Sequence, residues 1–187
     1  MTLPPLSTRQ LDLRPTVAGD LDALWALWRD PDVRRYLFDD IPVTRERAAE
    51  VLNQALALGD GLGLWTVSVR EASSLIGCVG LMRVTTAAEY DPRLAGAIEP
   101  VVAFAPAVWR HGYAREALGG VIAYAFTALK LPVLAAVTDT PNQASHRLLS
   151  HLGFEATGEC EGPRYRMRTY ALTRERFAAA GQAPAAL

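Results

Sequence analysis

The stretch Trp109-Arg110-His111-Gly112-Tyr113-Ala114-Arg115-Glu116-Ala117 joins two unlike patterns. Upstream, Ala97 to Phe104 reads as a strand, and Pro106 forces the chain out of it. Downstream, Ala114, Ala117, Leu118, Val121, Ile122, Ala125 and Leu129 recur at helical spacing and make one continuous apolar face. A strand-to-helix junction presents unpaired N–H groups at the positive end of a helix dipole. Gly112 has no side chain to hold a phosphate away from that backbone, and Arg110, His111 and Arg115 add positive charge. The same residues would also serve as a plain turn with solvated basic side chains.

Outward from this junction, strand and helix signals alternate. Leu11–Pro15 predicts a first strand that ends at its proline. Leu21, Leu24, Trp25, Leu27 and Trp28 form a helical stripe that Pro31 closes. A second helix runs from Thr44 to Leu58, ended by the turn Gly59-Asp-Gly-Leu-Gly63. Trp65, Val67 and Val69 alternate with polar residues as a half-buried strand does, and Leu75–Val84 follows as another. Val133–Val137 is an uninterrupted apolar run, as expected of a strand covered on both faces. Asn142–Leu152 predicts a short helix, and Phe154–Cys160 and Tyr165–Leu172 the last strands. The order β-α-α-β-β-β-α-β-α-β-β describes one α/β domain over residues 7–176, with a frayed Ala/Pro-rich tail at 177–187.

Composition narrows the chemistry. A chain of 187 residues, 50% apolar and 21% charged, suits one domain with a substantial core. Nineteen Lys+Arg against twenty Asp+Glu leave a net charge of -1, without the basic footprint of a nucleic-acid binder. No apolar stretch approaches the ~18–20 residues that span a bilayer, and the N-terminus lacks a charged n-region and an apolar h-region. With Cys78 and Cys160 as reduced thiols, the expectation is a cytoplasmic protein. There is no G-x-S-x-G elbow, phosphate-binding G-x-x-x-x-G-K-[ST] loop or H-E-x-x-H, and His111, His146 and His151 lack Cys partners at zinc spacing, so no metal is expected.

A second segment, Thr140-Pro141-Asn142-Gln143-Ala144-Ser145-His146-Arg147-Leu148-Leu149-Ser150-His151-Leu152-Gly153-Phe154, carries ordinary helix punctuation. Thr140 suits the N-cap, Pro141 the first helical position, Gln143 a capping box, and Gly153 the left-handed position after the helix. None of this accounts for Asn142 and Ser145, two mediocre helix formers one turn apart. Together the two segments resemble the GNAT superfamily of acetyl-CoA-dependent N-acetyltransferases. Within it they are most similar to the branch of ribosomal-protein N-terminal (Rim-type) acetyltransferases. The match comprises Trp-x-x-Gly-Tyr-Ala-x-Glu-Ala at Trp109–Ala117 and Asn-x-x-Ser-x-x-x-Leu-x-x-x-Gly-Phe at Asn142–Phe154. The opening Thr8–Pro15, Asp20 and Asp30-Pro31-Asp32-Val33 is similar too, so the resemblance runs from about Ser7 to Arg176.

The resemblance implies a mostly antiparallel sheet of six to seven strands, splayed between the fourth and fifth and flanked by helices on both faces. It implies that the amides of Arg110, His111, Gly112, Tyr113, Ala114 and Arg115 hold the pyrophosphate of acetyl-CoA. The backbone of Val101, Val102, Ala103 and Phe104 would pair with the pantetheine arm, Asn142 would bond that arm, and Ser145 would protonate the departing thiolate. Leu149 stands where many members carry a tyrosine acid, so no tyrosine is assigned that role. Glu99 is the preferred general base, with Glu159, Glu161 or a water chain as alternatives. Tyr36 and Phe38 stand where the acceptor pocket is expected, though core packing accounts for them equally. Asp30, Asp32, Asp39 and Asp40 would attract a cationic substrate or form a solvated acidic loop, and Arg164, Arg166 and Arg168 read as a solvated edge. The acceptor expected is a primary amine, on a protein N-terminus or a small molecule such as an antibiotic or polyamine. A silent acetyl-CoA-binding sensor is the competing class.

Overall fold

The computed structural model describes residues 3–72 and 74–180. In Leu11–Pro15 (β2), Leu11 and Leu13 are buried while Asp12 and Arg14 face outward, the alternation a one-sided strand needs. β2 lies between the two-residue strand Leu6–Ser7 (β1) and Gly63–Val69 (β3), and the sheet continues through Gly77–Arg83 (β4) to Ile98–Phe104 (β5). A second sheet contains Val133–Asp139 (β6), Glu155–Cys160 (β7) and Met167–Thr173 (β8), in the order β6-β8-β7. Every hydrogen-bonded pair is antiparallel. The architecture is the expected mixed α/β one, with two differences: β1 adds an eighth strand, and the splay is complete. β5 and β6 lie side by side without pairing.

Pro100 helps to explain the break. It sits opposite Leu81 in the β4–β5 ladder, and a residue without N–H is tolerated only where that position faces away from the partner strand. Ala105, an odd-numbered neighbour, donates to Ile76 O at 2.9 Å. In a regular antiparallel ladder this alternation points the backbone groups of Glu99, Val101 and Ala103 at β4, and those of Val102 and Phe104 at β6. The edge facing β6 therefore lacks one donor.

Helices Tyr113–Thr127 (α5), Gln143–His151 (α6) and Arg174–Ala179 (α7) cover one face. Leu118, Val121 and Ile122 of α5 pack there on Val79, Leu81, Leu134 and Leu172. Leu21–Trp28 (α1), Pro31–Leu37 (α2) and Arg45–Leu56 (α3) cover the other face, packing on Cys78, Met82 and Ala103, and Thr86–Tyr90 (α4) continues that layer over Ala135 and Met167. The first helix stops at Trp28, ahead of Pro31 as expected, but Pro31 itself opens α2, with Asp30 as N-cap accepting from Asp32 N at 2.9 Å. The tail boundary also moves. Phe177 is buried against Phe126, ring centroids 5.1 Å apart, because α7 returns to the core; residues 181–187 lie outside the described residues. β8 is a central strand, so Arg168 does not lie on a solvated edge: it bonds Glu159 at 2.9 Å. No helix among the described residues is long and apolar enough to cross a membrane.

Candidate active site

The junction that decides the fold builds the first part of the site. Gly112 caps α5 with φ +82, a left-handed conformation that glycine adopts without strain, and a Cβ there would meet nothing within 4 Å. The amides of residues 110–115 find no acceptor among the described residues. They form a run of free donors at a helix N-terminus, suited to an anion such as a pyrophosphate. The side chains of Arg110 and Arg115 are exposed beside it. His111 works within the loop: its Nδ1 donates to the carbonyls of Val108 (3.1 Å) and Trp109 (2.9 Å), and its ring stacks on Tyr113 at 5.6 Å.

Two side chains brace this loop. Trp109 Nε1 donates to Phe104 O at 2.7 Å, tying the cradle to the end of β5. The Phe104 carbonyl is therefore committed, and Val101 and Ala103 spend their backbone groups on β4, which leaves Val102 as the residue whose N–H and C=O both face the splay. Glu116 accepts from Thr8 Oγ1 (2.6 Å), Gln10 N (2.6 Å) and Gln10 Nε2 (2.7 Å), fastening the first turn of α5 to the β1–β2 turn. Burial works against its charge, yet these bonds hold its carboxyl below the usual carboxylate range.

Across the splay, Asn142 is the N-cap of α6, its Oδ1 accepting from Ser145 N at 3.2 Å. This corrects the assignment of the cap to Thr140. Of these two candidates, separated by Pro141, Asn142 is the one next to the first helical residue, Gln143. The Asn142 Nδ2 donor finds no acceptor among the described residues, and the half-buried Ser145 hydroxyl makes no bond there either. His146 anchors the turn from below. Thr140 O, at 3.0 Å, can only accept, so Nε2 carries the proton and Nδ1 accepts from Tyr170 Oη at 2.6 Å.

Glu99 is half-buried on β5, on the face opposite α5, and no hydrogen bond or ion pair engages its carboxylate among the described residues. Burial pushes that carboxyl up to about 7. The alternatives are engaged elsewhere. Glu159 bonds Arg168 and lies 3.8 Å from Arg166, which hold it below the usual carboxylate range, and Glu161 lies 3.5 Å from Arg166. Tyr36 meets Tyr165 at 6.5 Å between ring centroids, whereas Phe38 packs on Trp28 at 5.9 Å in the second core. Asp30 is spent on capping α2 and Asp32 pairs with Arg35 at 3.1 Å, whereas Asp40 pairs with Arg164 of the β7–β8 loop at 3.4 Å and Asp39 acts on the charge of Asp139. Sequence reasoning missed the roles of Pro100, Glu116, Asp139 and Tyr165. Of these, Pro100 left a readable signal, a proline inside a strand pattern, and Glu116 stood in the Trp109–Ala117 motif without a role.

Residues 10–155 match the acetyltransferase (GNAT) domain family. The N-acetyltransferase YoaA of Bacillus subtilis (strain 168) is 32% identical over 157 residues, 83% of this chain and 85% of its own. Among solved structures, a GNAT-family acetyltransferase from Bordetella pertussis has a TM-score of 0.78 at 21% identity, over 90% of this chain and 98% of that one. The spermidine N-acetyltransferase of Vibrio cholerae, solved with CoA and spermine, has a TM-score of 0.73 at 20% identity, over 90% and 98%. These two structures share the fold. The family match covers most of the chain and both motifs singled out above: the chain belongs to the GNAT acetyltransferase family and is an acetyl-CoA-dependent N-acetyltransferase.

Proposed function

We propose that this chain moves the acetyl group of acetyl-CoA directly to a primary amine held in a ternary complex. The pyrophosphate lies on the amides of residues 110–115, and the pantetheine arm lies along the β5 edge within reach of Asn142 Nδ2. The amine lone pair attacks the thioester carbon, and Val102 N–H stabilises the oxyanion. Glu99 takes the proton that the amine nitrogen loses, directly or through water. The C–S bond then breaks, and Ser145 relays a proton: its Oγ–H passes to the leaving sulfur while Oγ takes a proton from solvent water, so no alkoxide is left. A thiol of pKa ~8.5 needs only that modest help.

One observation carries this reading: Glu99, unpaired and with its carboxyl near 7, stands on the strand whose other edge is open to β6. A base of that strength matches neutral pH. A module that merely bound acetyl-CoA would have no use for it. The resemblance to the ribosomal-protein N-terminal branch, from Thr8 to Phe154, supports a protein N-terminal amine as acceptor. The acidic acceptor side favours a small cationic amine instead. Mixing the protein with acetyl-CoA and a library of amines and N-terminal peptides, then following free thiol, tests the function: release with an amine supports transfer, and silence across the library with tight acetyl-CoA binding establishes a sensor.

A further inference from the structure

Asp139 ends β6 on the same face of the molecule as Glu99, since Leu134 and Ala136 point into the α5 core and the odd-numbered positions of β6 point away from it. It is 8% exposed, yet its carboxylate has no hydrogen bond and no ion pair among the described residues. The carboxylate is not sealed: the unpartnered side-chain polar atoms fully shut from solvent are Thr16 Oγ1 and Trp28 Nε1 alone among the described residues. Asp139 is thus an almost wholly buried, unpartnered carboxylate that keeps a small window to solvent.

The groups facing it come from the loop after α2 and the β7–β8 loop. Asp39 likewise has no ionic partner among the described residues. Arg164, the cation that acts on Asp139, and Arg34, which serves Asp40, are already engaged. Arg34 donates to Asp40 O at 2.8 Å and lies 3.6 Å from its carboxylate. Arg164 donates to Arg35 O at 3.2 Å, pairs with Asp40 at 3.4 Å and stacks over Tyr165 at 4.9 Å. Asp40 is matched and Asp39 and Asp139 are not, beside the aromatic pair Tyr36–Tyr165. Burial and the nearby Asp39 push the Asp139 carboxyl above the ordinary carboxylate range, and Arg164 offsets this only in part.

Unmatched carboxylates beside aromatic rings complement an organic ammonium, which gains ion pairing and a cation–π contact and relieves the repulsion between the acids. We propose that Asp139, with Asp39 and the Tyr36–Tyr165 pair, forms a subsite for a second ammonium group of the acceptor, so that the acceptor is a small α,ω-diamine or polyamine. The proposal rests on the amine-transfer reading above and specifies which amine. One ammonium of the acceptor sits in this subsite while the other end, deprotonated at Glu99, receives the acetyl group.

The test uses the CoA-loaded protein, which cannot turn over, titrated calorimetrically with 1,4-diaminobutane and with n-butylamine. The wild type binds the diamine about tenfold or more tighter, the scale of one charge-assisted hydrogen bond. Asp139→Asn brings the diamine down to the butylamine level, and Asp39→Asn, on a half-buried turn where asparagine tolerates the left-handed backbone (φ +52), gives a smaller loss. Asp139→Asn keeps the side-chain shape and breaks no existing bond, and a melting curve verifies its fold. Equal binding of the two amines by the wild type, or an undiminished preference in Asp139→Asn, overturns the proposal. So does a preference confined to N-terminal peptides carrying a lysine. Acetylation of butylamine without any Asp139-dependent preference would retain the transferase and discard the subsite. Diamine binding that depends on Asp139 without thiol release from acetyl-CoA would do the reverse.

Discussion

Replacing Glu99 by glutamine should lower activity and raise stability, and the second effect should appear only at higher pH. Burial moves the carboxyl from 4.5 to about 7. A raised folded-state pKa means that folding binds a proton between these values. The contribution to stability is fully present below about 4.5, falls as pH rises, and is fully lost above about 7. The whole shift corresponds to about 3 kcal/mol, which solvent reaching a half-buried side chain reduces to about 1–2 kcal/mol. Glu99→Gln, unable to ionise, avoids this loss. At pH 8 its melting temperature should exceed that of the wild type by about 2–8 °C for a chain of this length, and at pH 4.5 the two should coincide. Turnover should fall by about 10²–10⁴-fold. In the wild type, kcat should drop about tenfold per pH unit below 7, on a limb that Glu99→Gln removes. Differential scanning fluorimetry across pH and thiol-release kinetics measure both. A variant melting at or below the wild type at pH 8, or keeping the limb near 7, refutes the assignment of Glu99 as a buried base.

The phosphate cradle is tested by heat. Acetyl-CoA at one hundred times Kd should stabilise the protein by about 2.7 kcal/mol, roughly 5–10 °C, and Gly112→Asp should abolish this shift by placing a carboxylate in the open space over the amides. A Gly112→Asp variant that binds normally puts the pyrophosphate elsewhere. Ser145→Ala should lower kcat by roughly 10–100-fold, less than a full general acid contributes, while KM for acetyl-CoA holds. Wild-type turnover in this variant would remove Ser145 from the mechanism.

Features written by local chemistry were legible in the sequence. The apolar stripe of α5, the unbroken run of β6 and the left-handed Gly153 (φ +88), with Phe154 N returning to Leu149 O at 3.0 Å, all depend on near neighbours. Pro31 was ambiguous for an equally local reason: after Asp30 the same residue can end one helix or begin the next. What could not be read depends on distant partners. β7 and β8 follow β6 in the chain, but β8 inserts between them, which moves Arg168 from an edge onto a central strand. Asp139 looks like a polar end to an apolar strand until folding brings Asp39, one hundred residues earlier, near enough to act on its charge.

Glu99 and Pro100 show how one dipeptide can serve fold and chemistry together. The proline removes an N–H from the edge facing β6, weakening any pairing that would close the splay. It also confines the residue before it to extended backbone, so Glu99 cannot turn out of the strand. The same substitution of a side-chain ring for a donor that opens the cleft therefore fixes the side chain standing beside it. The remaining parts of the site follow a common logic: free amides at residues 110–115, the Val102 edge, and the carboxylates of Glu99 and Asp139 are all polar groups the fold leaves unmatched. Each costs stability when buried without a partner, and each has the polarity of one piece of the substrates: anion, amide, amine, ammonium. A core built for stability alone would have satisfied them internally. Their placement about the facing, unpaired edges of β5 and β6 is what a cleft requires if its missing hydrogen bonds are to be completed by two ligands at once.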